Sequence, residues 1–200
     1  RADLTVIKMV GWKRKFYFPD CGLKWTIPSP NMPLFETASV YPGMCLLEGT
    51  NVSEGRGTTR PFEIFGAPYI DEEKLVKELY AKKISGVQFR PLKFIPTFHK
   101  YQGIVCGGAQ IYVSDLKNFD PVYAGLEIIL TIKHLYPKKF DWRKPPYEFE
   151  KKKIPFDILI GNSWIRKYIE KGESVDLLKK MWLQDLESFK KKKEKFQLYE

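Results

Sequence analysis

Between Glu48 and Arg60 the chain sets Glu48, Thr50, Asn51, Ser53, Glu54, Arg56, Thr58, Thr59 and Arg60 among Gly49, Gly55 and Gly57. Apart from the glycines, every side chain in that stretch except Val52 can hydrogen-bond. Glycines at this density permit positive φ and close approach of backbone to a ligand. Two carboxylates and two guanidiniums together make a polar network able to bind hydroxyls, an acetamido group and a carboxylate, the last through the planar fork of arginine. A blander reading has Glu48, Glu54, Arg56 and Arg60 pairing with one another to hold a loop. Phosphate-loop chemistry is disfavoured, because no Gly-Lys-Ser or Gly-Lys-Thr follows the glycines.

The surrounding chain must position this segment. Turn signals from Pro28 to Pro68 predict loops anchored by short strands, with an apolar strand at Met44–Leu47 leading into the polar stretch. Ala2–Met9, apolar at Leu4, Val6, Ile7 and Met9, predicts a core strand. Asp71 predicts an N-cap, with a helix running to about Lys82 on Leu75, Val76 and Leu79. Strands are predicted at Val87–Phe89, Lys93–Phe98 and Ala109–Val113. A second helix should start at Asp120-Pro121 and stop before Pro137. Pro155–Ile160 predicts a short helix or turn, and Ser163–Lys171 a helix ended by Gly172. Ser174 caps a long helix to about Phe196, with Leu177, Leu178, Met181, Trp182, Leu186 and Phe189 on one face, expected to pack on the domain's own core. The predicted class is α+β: a single mixed domain over residues 1–200, with a central short-stranded sheet, helices, and a long C-terminal helix.

Composition bounds the function classes. The 200 residues are 44% hydrophobic and 15% aromatic, enough for one real core. The longest apolar segment, Val122–Leu130, is broken by Gly125 and Glu127, so no membrane span is predicted. The formal charge of +10 raises polyanions as partners. However, Lys151–Lys153 and Lys190–Lys193 read as solvated faces or tails. A non-catalytic polyanion- or glycan-binding module, drawing on the aromatic and basic segment Trp12–Phe18 with Lys13, Arg14 and Lys15, is the alternative function. It would show strong salt dependence, but no nucleic-acid motif accompanies the charge, and no nucleic-acid partner is expected. Cys21, Cys45 and Cys106 give no CxxC pair and allow at most one disulfide. Cys106 reads as a packed thiol. His99 and His134 are the only histidines and lack ligand spacing, so neither a metal nor a cofactor is expected.

Several blocks together resemble the exo-β-N-acetylmuramidase (NamZ-type) glycoside hydrolases, long known as a bacterial domain of unknown function. They are Val10-Gly11-Trp12, Pro28–Pro33, Tyr41–Phe62, Gly66–Asp71 and Phe89-Arg90-Pro91. Further on come Pro96-Thr97-Phe98 with Lys100-Tyr101, Cys106-Gly107-Gly108, Leu135-Tyr136-Pro137 and Pro145-Pro146-Tyr147-Glu148-Phe149. The resemblance covers nearly the whole chain and is closest to the C-terminal domain of that family. It implies hydrolysis that releases N-acetylmuramic acid from the non-reducing ends of peptidoglycan fragments, outside the cytoplasm. It also implies a Rossmann-like N-terminal domain, absent from this chain, which contributes a catalytic carboxylate across a shared cleft. A chain that opens on Arg1 within a strand is expected to be part of a longer protein, and to be inactive or nearly so alone.

The resemblance carries roles onto residues. Glu48 and Glu54 are the candidate catalytic or substrate-clamping carboxylates, since glycoside hydrolysis usually takes two carboxyl groups flanking the scissile bond. Asn51 and Ser53 suit sugar hydroxyls or the acetamido group, Arg56 and Arg60 the lactyl carboxylate, with Asn31 nearby. Tyr41, Phe62 and Tyr101 could stack on sugar faces or simply pack in the core. His99 lies beside the Pro-Thr-Phe block and is a substrate-binding candidate or a hydrogen-bonded structural residue.

Overall fold

The computed structural model describes residues 2–199. Its regular elements are α1 (Phe35–Met44), β1 (Ile64–Ala67), α2 (Glu72–Ala81), β2 (Val87–Phe94), β3 (Cys106–Val113), α3 (Pro121–Leu135), α4 (Pro155–Leu159), α5 (Trp164–Lys171) and α6 (Val175–Glu194). The α+β class predicted from the sequence is what the structure shows: among the described residues, one small sheet and six α-helices, the last of them long.

The sheet is antiparallel in the order β1-β3-β2, with Phe65 opposite Ala109 and Phe89 opposite Ile111. From Cys106 to Ile111 every residue of the central strand is buried. Pro91 interrupts β2 without ending it, because β2 is an edge strand and an edge can lose a donor on its open side. The two strand segments predicted around that proline are therefore one strand. It ends at Phe94, before Pro96, and residues 95–98 form a loop.

Helix α3 lies at the centre, with Leu126, Ile128, Ile129 and Ile132 fully buried, as its nearly all-round apolar sequence demands. It starts where predicted: Pro121 takes the first position and the Asp120 carboxylate accepts from Tyr123 N at 3.1 Å. Helix α2 is likewise capped by Asp71, which accepts from Lys74 N, and it buries Leu75, Val76 and Leu79 against the sheet. Helices α1 and α3 cross at Gly43 and Gly125. A Cβ on Gly43 would sit 1.7 Å from the carbonyl oxygen of Pro121, and one on Gly125 would sit 2.4 Å from that of Gly43. The crossing is backbone against backbone.

Three further predictions differ. The expected strand at residues 44–47 is the end of α1 and a 3₁₀ turn over Cys45–Gly49. A short apolar run cannot by itself distinguish strand from helix, and here Pro42, inside α1, withholds an N–H and the chain tightens directly afterwards. Residues 2–9 form no strand: Leu4, Ile7 and Met9 are 77%, 92% and 56% exposed. An alternating apolar stretch needs a sheet neighbour, and none is present among the described residues. Helix α6 starts at the Ser174 cap as predicted, but only Val175 and Leu178 on it are buried. Leu177, Met181, Leu186 and Phe189 stay exposed, because the helix runs out beyond the body of the domain.

Candidate functional site

The polar stretch of residues 48–60 is held on two sides. On one, Asn51 N donates to Asp141 O and Arg143 N to Gly49 O, both at 2.9 Å, which lays residues 49–51 along residues 141–143. On the other, Ser53 and Gly66 exchange backbone hydrogen bonds and attach the stretch to β1. Gly49 passes so close to Phe156 that a Cβ would lie 2.6 Å from its Cα. Gly57, at φ +84°, turns the chain against residues 97–98, where Thr97 donates to Gly57 O through both its N–H and its hydroxyl, each at 2.9 Å. That contact brings up the loop at 97–101. In this loop His99 and Tyr101 both have positive φ, 69° and 59°. Such backbone is costly for residues with a Cβ and concentrates at functional sites.

The result is a network around Glu54, whose side chain is fully buried. The ammonium of Lys100 donates to Glu54 Oε2, to Leu47 O and to Val52 O, each at 2.9 Å. His99 Nδ1 and Arg56 Nε approach Glu54 Oε1 at 3.2 and 3.3 Å. Both lie off the line of a hydrogen bond, so Oε1 has charged or donor neighbours but no aligned partner. Arg56 also reaches Glu48 Oε1 at 2.8 Å and lies 5.0 Å over the Phe62 ring. Tyr147 completes the cluster, donating its hydroxyl to Glu48 Oε2 at 2.8 Å.

The electrostatics of the central pair are lopsided. Burial pushes the Glu54 carboxyl up, but the contacts with His99 and Lys100 prevail and bring it down to about 2. For Lys100 burial wins: its ammonium is held below the ordinary lysine range, with attraction to Glu54 recovering part of the loss and repulsion from Arg143 adding to it. Glu54 is thus stabilised as an anion by three groups, whereas Lys100 has one close carboxylate. Burial, then the hydrogen bond to Glu48, raises the Tyr147 phenol and keeps it a donor.

Beside this network opens a cavity of about 360 Å³ lined by Thr50, Asn51, His99, Lys100, Tyr101 and Arg143. A smaller cavity of about 270 Å³, between α2 and α3, shares none of these residues. Polar side chains and two cations, Lys100 and Arg143, around an open concavity suit a hydroxylated, anionic ligand better than an apolar one.

Of the residues singled out in the sequence, Glu48, Glu54, Arg56 and His99 converge in one network, and Asn51, His99 and Tyr101 line the cavity. Asn51 is committed to the fold through its side chain. It donates to Lys139 O and accepts from the Tyr69 hydroxyl and Asp141 N. The Ser53 hydroxyl accepts from Gly55 N and is buried. Arg60 turns to Glu63 at 3.1 Å, which also accepts from Thr37 at 2.6 Å. Phe62 is 1% exposed and has no open face; Tyr41, half-exposed, packs edge-on against it. The Tyr101 hydroxyl donates to Asn51 O at 2.6 Å, which fixes the ring beside the cavity. Asn31 lies in the turn ahead of α1 and makes no hydrogen bond to the network. Lys100, Arg143 and Tyr147 were missed as site residues. Lys100 and Tyr147 fall in blocks that carried the family resemblance, but Arg143 had no sequence signal at all.

Comparison with known proteins gives the network a context. Residues 39–199 match the family described as "Exo-beta-N-acetylmuramidase NamZ, C-terminal", and residues 1–36 match the corresponding N-terminal description. The chain is 46% identical over 198 residues to "Peptidoglycan beta-N-acetylmuramidase NamZ" of Bacillus subtilis (strain 168), covering 99% of this chain and 46% of that protein. Two crystal structures of DUF1343 family proteins from Bacteroides fragilis NCTC 9343 share the fold, each at 26% identity. One has a TM-score of 0.82 over 95% of this chain and 49% of its own; the other has 0.62 over 87% and 44%. The chain thus spans about half the length of the relatives it matches. It belongs to the exo-β-N-acetylmuramidase NamZ family.

Proposed function

We propose that this chain forms the substrate-gripping wall of the cleft of an exo-β-N-acetylmuramidase. The full protein would release N-acetylmuramic acid from the non-reducing ends of peptidoglycan fragments, outside the cytoplasmic membrane. The observation that carries this reading is the buried Glu54, with its Lys100, His99 and Arg56 neighbours, at the edge of an open cavity of about 360 Å³. The B. subtilis relative's description supports the substrate class.

Glu54 is poorly suited to be the general acid of a glycosidase. That role needs a carboxyl kept protonated near neutral pH, typically by an apolar pocket, whereas Glu54 sits near 2. Its chemistry is that of a permanent anion that holds Lys100, His99 and Arg56 in place. Glu48, ion-paired to Arg56 and hydrogen-bonded to Tyr147, serves the same clamp from the other side. Catalytic protonation would then fall to a carboxyl of the N-terminal half.

The test is hydrolysis of a chromogenic β-N-acetylmuramide by the full-length chain carrying both halves, with Glu48→Gln, Glu54→Gln and Arg56→Ala compared in parallel and thermal melts confirming that each is folded. Losses of about tenfold to a hundredfold in kcat/KM are expected, the size of a lost charge-assisted contact. Unchanged rates in all three folded variants would remove the network from the function.

A further inference from the structure

We infer that Arg143 is the anion receptor of this site, the residue that would distinguish a carboxylate-bearing sugar from a neutral one. The inference rests on the cleft-wall reading above and names a group that reading leaves open.

The other cations of the network are already spent. All three N–H bonds of the Lys100 ammonium are used, on Leu47 O, Val52 O and Glu54. Arg56 divides its guanidinium between Glu48 and Glu54. Arg60 is taken by Glu63 and does not line the cavity. Arg143 is different. It lines the cavity, and among the described residues no carboxylate lies within ion-pair distance of it. Its neighbour in sequence, Asp141, turns its carboxylate to Trp142 N at 2.8 Å instead.

Position is fixed from two directions. The Arg143 backbone is pinned by its N–H to Gly49 O at 2.9 Å, and its guanidinium lies 5.2 Å from the centre of the Tyr147 ring. A ring face holds a guanidinium without using its N–H donors, so the fork stays available to a planar acceptor. Charge balance points the same way. The cavity lining itself holds two cations, Lys100 and Arg143, and no carboxylate; Glu54 is spent on Lys100, and the repulsion between Arg143 and Lys100 is felt in the depressed Lys100 ammonium. A bound carboxylate would give Arg143 the counter-charge it lacks. Thr50, Asn51 and His99 around the same cavity supply the polar surroundings of a sugar ring.

The experiment uses the full-length chain, with hydrolysis of a chromogenic β-N-acetylmuramide as readout and two competing ligands: N-acetylmuramic acid and its methyl ester. These differ at the lactyl group alone, a charged carboxylate in one and a neutral methyl ester in the other. The native protein should bind the acid at least tenfold more tightly than the ester. Arg143→Gln should abolish that preference by weakening the acid about tenfold to a hundredfold while leaving the ester within about threefold, the range expected for one charge-assisted contact. Arg143→Lys should keep part of the preference, since it retains the charge but not the fork. A preference of undiminished size in folded Arg143→Gln, or an equal loss on both ligands, would overturn the inference. A native protein that binds neither ligand and cleaves no muramide would instead overturn the cleft-wall reading itself.

Discussion

Glu54 and Lys100 carry most of the residue-scale argument. With a folded value near 2 against an ordinary 4.5, the Glu54 carboxyl is depressed by folding. Its contribution to stability is therefore complete above about pH 4.5 and is lost as the pH falls through about 2. Glu63 acts in the opposite sense. Burial raises it despite Thr37 and Arg60, so ionising it as the pH climbs past the ordinary carboxyl value costs the folded state. Urea unfolding from pH 7 down to pH 2 should show an acid limb that Glu54→Gln flattens. At neutral pH the same substitution should cost about 3–5 kcal/mol, because it leaves a buried ammonium without its counter-charge. An unchanged acid limb would place the depression elsewhere. None of this could be read from spacing. Glu48 and Glu54 were visible as paired carboxylates among glycines, but their partners Lys100 and Tyr147 lie 46 and 99 residues away in the pairs they form.

At the scale of elements, what was legible is what local chemistry decides alone. Asp71, Asp120-Pro121, Ser174 and Gly172 marked helix ends correctly, since a cap is a property of a few adjacent residues. What depended on distant packing was misread. The apolar run at residues 44–47 closes α1 and enters a 3₁₀ turn that packs against α3 and α4, and residues 2–9 lacked the neighbour that would make them a strand. The crossing itself makes a prediction. Gly43→Ala should destabilise the domain by about 3 kcal/mol or more, as overpacking against a backbone carbonyl cannot be relieved by a rotamer change. A surface control such as Lys77→Ala should stay within about 0.5 kcal/mol. Chemical denaturation of the two variants checks this, and a mild Gly43→Ala would mean that the two helices can part.

On the scale of the molecule, the domain combines a tight polar site with extended surface at both ends of the chain. Met9 N donates to the Tyr199 hydroxyl at 2.8 Å and Trp12 packs edge-on against the same ring, so the two ends meet although Leu4, Ile7, Phe189 and Phe196 around them are exposed. The formal charge of +10 is spread widely, with the lysines at 151–153 and 190–193 all in solvent. Lys100 is the contrast, with 15% of its side chain exposed and its ammonium triply hydrogen-bonded. That contrast makes Lys100 a built-in clock. Under an amine-specific acylating reagent the surface lysines should be consumed first, and Lys100 should react only at the rate at which residues 48–54 let go of it. Mass spectrometry of the labelled peptide would follow the opening of the site without a ligand and without a mutation. If Lys100 were labelled as fast as Lys191, the loop around Glu54 would be opening freely in solution.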